Sequence, residues 1–259
     1  SREHPCRVIA VAPSSRKISP EEEHPTFLDA EIRFGSDAGA GEIIVLRPRG
    51  GLVRHADTLV IPLLVPDAPV VAWNEAPANL SKDLLGSMAS SRITDAMHSS
   101  NPRRTMDDLR RNRSAKDVDM SWTRLTVWRA MIASMLDQPP HLPVSNVRVT
   151  GQKDYLPLDL LAAWLRLRLN VPVMIEEDPN ATAVTGVYLT RGDGVLSLER
   201  PSTDDGFAVI SVPGQSPQTI SVPARTLEEC LSEELGRLYP DEIYSEVVSQ
   251  GLDLVKPRQ

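Results

Sequence analysis

The stretch VTGVYLTRGDGVLSLER, residues 184–200, decides the fold of the second half of the chain. Two runs of strand length, 184–190 and 194–200, are rich in β-branched and apolar residues, and the Gly-Asp-Gly triplet between them tolerates the dihedrals of a tight turn. This pattern predicts a β-hairpin. Two more runs, 207–212 and 218–222, follow after further turn sequences. We therefore expect a four-stranded antiparallel meander.

Helical periodicity precedes this meander. Apolar side chains recur at helical spacing over 121–137, and a pair of prolines stops the pattern. A second helix is predicted over 156–170, where apolar stripes cover most of the surface. Short strand-like runs at 146–150 and 171–175 flank this second helix, so a sheet is expected to run beside it.

Two further helices are predicted after the meander. Thr226 and Glu229 form a capping box, which marks the start of a helix. A last helix over about 241–250 is expected to end with Gly251 as its terminating residue. Together these elements predict an α+β domain over 121–259, with an antiparallel meander and flanking helices.

The first hundred residues alternate short apolar runs with polar connectors. Residues 6–12 (CRVIAVA) and 69–73 (PVVAW) are continuous apolar runs, the pattern of strands buried on both faces. Other strand-like and helical runs are found at 30–34, 42–46, 55–64 and 82–90. We predict an α/β layered domain over 1–98. Because the chain opens without Met and close to its first strand, we expect an N-terminal segment to be missing.

Residues 99–120 differ from both halves. Apolar residues are scarce there, and six basic residues stand against four acidic ones. This composition predicts a polar linker or long surface loop between the two domains.

Composition limits the classes of function. The 259 residues carry 28 Lys+Arg against 35 Asp+Glu, a net charge of −7, which argues against a nucleic-acid partner. The most apolar window, 59–73, is interrupted by prolines and is too short to cross a bilayer. Cys6 and Cys230 form no framework of disulfides, so we expect two reduced thiols in a cytoplasmic protein.

Motifs for catalysis, metals and cofactors are missing from the sequence. The five histidines show no metal-ligand spacing, and the glycines between 35 and 41 lack the Lys-Ser/Thr of a phosphate loop. The acidic run 176–178 follows a strand, and the pairs 228–229 and 233–234 are expected to face solvent. We therefore predict no metal, no cofactor and no catalytic residue.

Two segments have an unusual composition. Residues 121–129 (SWTRLTVWR) contain two tryptophans and two arginines, and 91–95 (SRITD) places Arg and Asp around a strand-like core. Trp and Arg are the residues most enriched in binding hot spots, but at helical spacing they also form buried stacked pairs. If they are buried, the arginines need acidic partners, for which Asp95 and Asp119 are candidates.

These segments carry a resemblance to a known family. The runs PDAPVVAW at 66–73, SRITD at 91–95 and DMSWTRLTVWR at 119–129 are similar to the glucose-6-phosphate dehydrogenase assembly protein family, OpcA, in its actinobacterial form. The segment 228–251 also resembles the end of that family. The chain departs from the family after Trp73, where NEAP replaces a second tryptophan and a Pro-Gly turn.

The resemblance implies a non-catalytic protein that binds glucose-6-phosphate dehydrogenase, promotes its active oligomer and activates it in the oxidative pentose phosphate pathway. It transfers no catalytic residue. Our hypothesis is that seven residues form or brace the contact surface: Trp73, Arg92, Asp95, Trp122, Arg124, Trp128 and Arg129. Alternatively, these residues hold the two domains together.

Two other functions remain open from the residues alone. A sugar-phosphate-binding protein or enzyme could use the strand ends of the first domain. A nucleic-acid-binding module could work through the basic residues within 103–116, although the net negative charge disfavours it.

Overall fold

The computed structural model describes residues 6–12, 26–35, 41–74, 83–201 and 206–255. The strands are β1 Arg7–Val11, β2 Leu28–Arg33, β3 Glu42–Pro48, β4 Val71–Asn74, β5 Ser91–Thr94, β6 Asp117–Asp119, β7 Val144–Gln152, β8 Val173–Asp178, β9 Val184–Arg191, β10 Gly194–Glu199, β11 Phe207–Ser211 and β12 Gln218–Ser221. The helices are α1 Ala56–Val60, α2 Leu84–Met88, α3 Pro102–Arg111, α4 Met120–Thr123, α5 Thr126–Leu136, α6 Leu156–Leu169, α7 Leu227–Gly236, α8 Glu242–Glu246 and α9 Leu252–Leu254.

A six-stranded sheet in the order β12-β11-β10-β9-β7-β8 dominates the second half. The meander β9 to β12 is antiparallel throughout, as predicted. Strand β8 runs parallel to β7, and α6 makes the crossover between them. The α/β class with a meander and flanking helices is therefore confirmed, while the limits 1–98 and 121–259 for the two domains stay a prediction.

Helix α6 lies at the centre of the main hydrophobic core. Its Leu158, Leu160 and Leu161 are fully buried, and inward-facing strand residues such as Val187 and Leu196 belong to the same cluster. The apolar stripes on two sides of α6 explain this position, because a helix that is apolar almost all round must be covered on several sides.

The C-terminal helical segment packs against α6 and runs further than predicted. Gly251 has ordinary helical dihedrals, and the chain continues from a π-helical turn at Val247–Gly251 into α9. A Cβ at this glycine would lie 3.1 Å from the carbonyl oxygen of Ala163 in α6. Gly251 is therefore a site of close packing, and its prediction as a helix terminator is wrong.

The N-terminal residues form a separate three-stranded sheet in the order β1-β3-β2. Its small core consists of Ile44, Leu46 and Val60 with partly buried neighbours. The prediction that 6–12 is buried on both faces is wrong, because β1 is an edge strand whose residues are exposed or half-buried.

A second three-stranded sheet, β4-β5-β6, is parallel, and it corrects two predictions. The run 69–73 contributes β4, which is an edge strand and half-exposed instead of fully buried. The segment 99–120, predicted as a linker or long loop, contains α3 and β6. Met106 and Leu109 of α3 and Val118 of β6 are buried in the main core. These three apolar residues attach the segment to the core, while the polar side chains of α3 stay at the surface.

The predicted helix over 121–137 is also interrupted. Helix α4 ends at Thr123, Arg124 and Leu125 form a corner, and α5 begins at Thr126. At this corner the Thr126 hydroxyl donates to the Thr123 carbonyl oxygen at 2.9 Å. No proline or glycine marks the break.

The capping box of α7 yields a direct stability test. The Glu229 amide donates to Thr226 Oγ1 at 3.2 Å, and the Thr226 amide donates to the Glu229 carboxylate at 2.9 Å. We expect Thr226→Ala to lower the free energy of unfolding by about 1 kcal/mol and Thr226→Ser to retain most of it. Urea denaturation followed by circular dichroism measures both. Equal losses for Ala and Ser would contradict a role for the hydroxyl.

Candidate partner-binding surface

The carboxyl end of β6 is fixed by the buried carboxylate of Asp119. It accepts hydrogen bonds from the Thr94 hydroxyl at 2.7 Å, the Ala96 amide at 2.8 Å and the Ser121 amide at 2.9 Å. Burial raises the pKa of Asp119, and these hydrogen bonds oppose that shift. Asp119 thus holds the end of β5 and the start of α4 together. It has no arginine partner among these contacts, contrary to the expectation from sequence.

The ion pair between Asp95 and Arg124 joins the parallel sheet to the corner between α4 and α5. Two guanidinium nitrogens donate to the two carboxylate oxygens at 3.0 and 2.8 Å. The Asp95 side chain is fully buried and that of Arg124 is 8% exposed. Although burial lowers the pKa of Arg124, the hydrogen bonds to Asp95 leave it above its ordinary value. This pair confirms Asp95 as the predicted arginine partner.

Arg92 makes a different buried pair, with Asp117 on the neighbouring strand. Its Nε donates to one carboxylate oxygen of Asp117 at 2.8 Å, and a second nitrogen donates to the other at 2.5 Å. Helix α2 lies against this pair, since a Cβ at Gly86 would lie 2.7 Å from Arg92 Cδ. Arg92 therefore links β5, β6 and α2. It pairs with Asp117, whereas Arg124 pairs with Asp95.

The tryptophans at 122 and 128 lie in the core. Both are at most 3% exposed. Trp122 Nε1 donates to Asp241 at 2.9 Å, and the guanidinium of Arg129 lies 3.7 Å from the centre of a Trp122 ring. Burial lowers the pKa of Arg129 to about 10. Its Nε has no hydrogen-bond acceptor among the described residues.

The prediction that Glu233 and Glu234 face solvent is wrong. Glu234 is 3% exposed and accepts a hydrogen bond from the Thr123 hydroxyl at 2.7 Å. Burial raises its pKa. Glu233 accepts from Arg225 and Arg237, and its carboxylate lies 2.9 Å from the Thr126 hydroxyl oxygen. Because the polar groups of the α4–α5 corner need partners, this side of α7 faces the corner and not the solvent.

An exposed aromatic residue stands above this buried network. Leu238, Tyr239 and Pro240 connect α7 to α8, and we call them the 238–240 loop. Tyr239 is 84% exposed and Leu238 is 43% exposed.

Both ends of the 238–240 loop are anchored. Arg237, before it, donates to Glu233 at 3.1 Å and to Asp241 at 3.3 Å. Asp241, after it, caps α8 by accepting from the Tyr244 amide at 2.8 Å. An exposed Tyr on a loop held at both ends loses little conformational freedom when a partner binds.

The seven residues predicted for the contact surface do not form one patch. Trp73 is 44% exposed at the end of β4. Arg92, Asp95, Trp122 and Trp128 are buried, and Arg124 and Arg129 keep only partial exposure. Their role in partner binding stays a prediction. Because most of these residues are buried, they can support a contact surface that other residues form but cannot form it themselves.

Comparison with protein families assigns nearly the whole chain. Residues 1–111 match the model for the glucose-6-phosphate dehydrogenase subunit N-terminal domain, and residues 115–248 match that for the C-terminal domain. The chain belongs to the OpcA family of glucose-6-phosphate dehydrogenase assembly proteins. The resemblance noted at the Trp- and Arg-containing segments is thus confirmed. This OpcA family is a family of assembly subunits and not of catalysts.

Other comparisons add little. The search of curated proteins found no match. Among solved structures, a similar one is the 3-ketoreductase KijD10 from Actinomadura kijaniata in complex with TDP-benzene and NADP, in an open conformation. It is 11% identical, with a TM-score of 0.45, over 75% of this chain and 79% of that one. At this distance the likeness carries no argument about function.

The described residues show neither a metal-binding cluster nor a membrane-spanning helix. No group of three or more His, Cys, Asp or Glu side chains in this part of the chain is arranged to hold a metal ion. No helix within the same residues has the length and apolar character needed to cross a membrane.

The two arginines of the α4–α5 corner should differ in their effect on stability. Arg124→Met leaves the buried Asp95 carboxylate without its guanidinium, and we expect a loss of about 3–5 kcal/mol. Arg129→Met removes a desolvated charge with no bound carboxylate, so its effect should lie within about 1 kcal/mol of zero. Chemical denaturation at neutral pH measures both. Similar losses in free energy of unfolding for the two variants would show that the Asp95–Arg124 pair stabilises the fold no more than Arg129 does.

Glu234 should make stability depend on pH. A carboxyl group whose pKa is raised by folding stabilises the protein at low pH, and this contribution is lost as pH rises through the raised pKa. Glu234→Gln should therefore raise the free energy of unfolding at pH 7, and the gain should vanish near pH 4. Glu233→Gln is the matched control, because it weakens contacts with two arginines and should destabilise at pH 7. A destabilising Glu234→Gln at pH 7 would contradict the burial argument.

Proposed function

We propose that this protein is a non-catalytic assembly factor and allosteric activator of glucose-6-phosphate dehydrogenase. In this role it binds the enzyme in the cytoplasm, promotes its active oligomer and raises flux into the oxidative pentose phosphate pathway. The observation that carries the proposal is the match of both halves of the chain to domains of a glucose-6-phosphate dehydrogenase subunit.

The 238–240 loop is the contact surface that best fits this role. Tyr supplies a large amphipathic area with few rotatable bonds, and such residues dominate the binding energy of protein interfaces. A shallow groove beside α7 is lined by Val127, Pro223, Arg225 and neighbouring residues. Glu233, which also lines it, accepts a hydrogen bond from Arg237, the residue just before the 238–240 loop.

The predicted residues then act mainly from beneath this surface. Trp122 holds Asp241 by its indole nitrogen, and Arg129 covers the Trp122 ring. The Asp95–Arg124 pair fixes the corner that carries Trp122. Trp73, which is exposed, is left as a second direct contact.

An activator must bind the active form of its target more tightly than the inactive form. A tenfold shift of that equilibrium requires about 1.4 kcal/mol of differential contact. One exposed aromatic anchor is enough to supply a difference of this size.

The alternative of a sugar-phosphate site at the strand ends has less support. The side chains at the carboxyl ends of β5 and β6, Asp95 and Asp119, are bonded to Arg124 and to Thr94 and two backbone amides. These carboxylates are buried, and negative charge repels a phosphate.

The initial rate of purified glucose-6-phosphate dehydrogenase tests the proposal. It is measured with and without this protein over a range of glucose 6-phosphate concentrations, and size-exclusion chromatography with light scattering reports assembly on the same mixtures. We expect a higher rate and co-elution in a larger complex. An unchanged rate without co-elution would refute the proposal.

Variants of the 238–240 loop test the contact surface. Tyr239→Ala should weaken the apparent affinity for the dehydrogenase by about tenfold or more, and Tyr239→Phe should retain most of it. The matched control is Phe34→Ala, since Phe34 directly follows β2 and is 74% exposed. Equal affinities for Tyr239→Ala and the control would exclude the loop from the interface.

A further inference from the structure

One side of the six-stranded sheet lies away from the helices. Along the central strands, inward-pointing residues such as Val187 and Leu189 are fully buried in the core. The residues between them point to the opposite side, where Met174 is 58% exposed and Val195 is 49% exposed. We call this side the outer face. Its exposed residues surround a more covered centre, where Ser197 is 3% exposed.

A row of side chains crosses the outer face at its centre. Met174 of β8, Arg148 of β7, Tyr188 of β9 and Ser197 of β10 stand opposite one another in the strand register, and Ser211 of β11 continues the row. The Arg148 guanidinium lies 3.9 Å from the centre of the Tyr188 ring. An aromatic ring and an arginine at the centre of a surface are typical of the core of a protein interface.

The tyrosine ring is held flat against the sheet. A Cβ at Gly186 would lie 2.8 Å from Tyr188 Cε2 and 3.0 Å from its hydroxyl oxygen, so the ring occupies the space that a side chain at 186 would take. Small residues such as Thr150, Ser197 and Ser211 surround it. The outer face is therefore low in relief, which allows another flat surface to approach closely.

One ion pair lies on the outer face. Arg148 forms an ion pair with Glu176 at 2.7 Å, and the Ser197 hydroxyl donates to the Glu199 carboxylate at 2.8 Å. A partner that covers this face leaves the Arg148–Glu176 pair intact and has to supply a further contact for Glu199.

We infer that two copies of this chain pair through their outer faces. Identical sheets have the same twist, so they pack face to face with their strands at about −30°. The contact is isologous, meaning that the same surface is used by both copies and the dimer closes on itself.

The area is sufficient for a stable dimer. Six strands spaced about 4.8 Å apart, with about six residues each, give a footprint of about 600 Å². Two such faces bury about 1,200 Å² together, which is within the range of specific interfaces. Because each copy has a net charge of −7, long-range repulsion opposes the contact at low ionic strength and salt screens it.

The dimer does not depend on the proposed function, but its consequence for assembly does. A dimer carries two 238–240 loops, and linked binding sites hold two target subunits at a high effective concentration. Dimerisation would thus explain how an assembly factor favours the oligomer of its target.

The test uses the full chain without the dehydrogenase. Sedimentation equilibrium over a wide range of protein concentration, at low and high salt, gives the dimer dissociation constant. We expect a dimer whose affinity rises with salt. Thr190→Arg places a charge on the exposed outer side of β9, within the proposed contact, and it should weaken the dimer by tenfold or more. Ser134→Arg on the exposed side of α5 is the matched control and should leave the dimer unchanged.

Each outcome decides the inference. A wild-type chain that stays monomeric at all concentrations overturns it, as does a dimer that Thr190→Arg leaves intact. If the chain is monomeric and Thr190→Arg abolishes co-elution with the dehydrogenase, the outer face binds the enzyme instead. Tyr188→Ala provides a second variant, and circular dichroism verifies that every variant is folded. Failure of the dimer in these experiments leaves the measured activation of the dehydrogenase unaffected, so the two proposals fail separately.

Discussion

The buried pair between Asp95 and Arg124 is the interaction on which the arrangement of the two halves depends. Asp95 follows β5 of the parallel sheet, and Arg124 occupies the corner between α4 and α5. A fully buried carboxylate is tolerated only with a partner at hydrogen-bond distance, so the corner can sit in one position relative to the sheet. Asp119 reinforces this position, since its carboxylate binds amides on both sides of the same junction. The pair thus ties the corner before α5, which lies between Trp122 and Trp128, to the end of β5.

The arginines near this junction have unequal environments. Arg92 and Arg124 each make two hydrogen bonds to one carboxylate. Arg129 and Arg200 each have a buried Nε without an acceptor among the described residues. Among the described residues, Arg200 donates to the carbonyl oxygens of Val184 and Val222, and its guanidinium carbon lies 5.4 Å from the centre of the Trp128 ring. Burial lowers the pKa of both of these arginines. Paired arginines fix the fold, whereas the other two are held over tryptophan rings at a cost in desolvation.

The sequence predicts local structure well where one pattern is sufficient. The meander, helix α6 and the capping box of α7 follow from turn residues, apolar stripes and the spacing of Thr226 and Glu229. It fails where the decisive partner is distant in the chain. The break at Arg124 is not marked by proline or glycine, and the guanidinium there binds a carboxylate 29 residues away. Glu234 gives no sign of burial, since its partner Thr123 is 111 residues distant. The strand β6 is too short and too acidic to be recognised without β5 beside it.

For the candidate site, too, the sequence identifies the residue types, whereas their exposure depends on distant parts of the chain. Sequence reasoning selected the Trp- and Arg-containing helix because those residue types dominate interfaces, and it also named burial as the alternative. In the structure these residues lie mostly beneath the surface, while Tyr239 and the outer face were not selected at all. Tyr239 has no pattern around it that separates an interface residue from an ordinary loop residue, and Tyr188 acquires its position only through Gly186 and Arg148 in the folded sheet. A residue that braces an interface and one that forms it differ in exposure. Exposure is a property of the assembled fold, because it depends on which distant segments cover each side chain. The family assignment therefore limits the partner, and the geometry limits which residues can touch it.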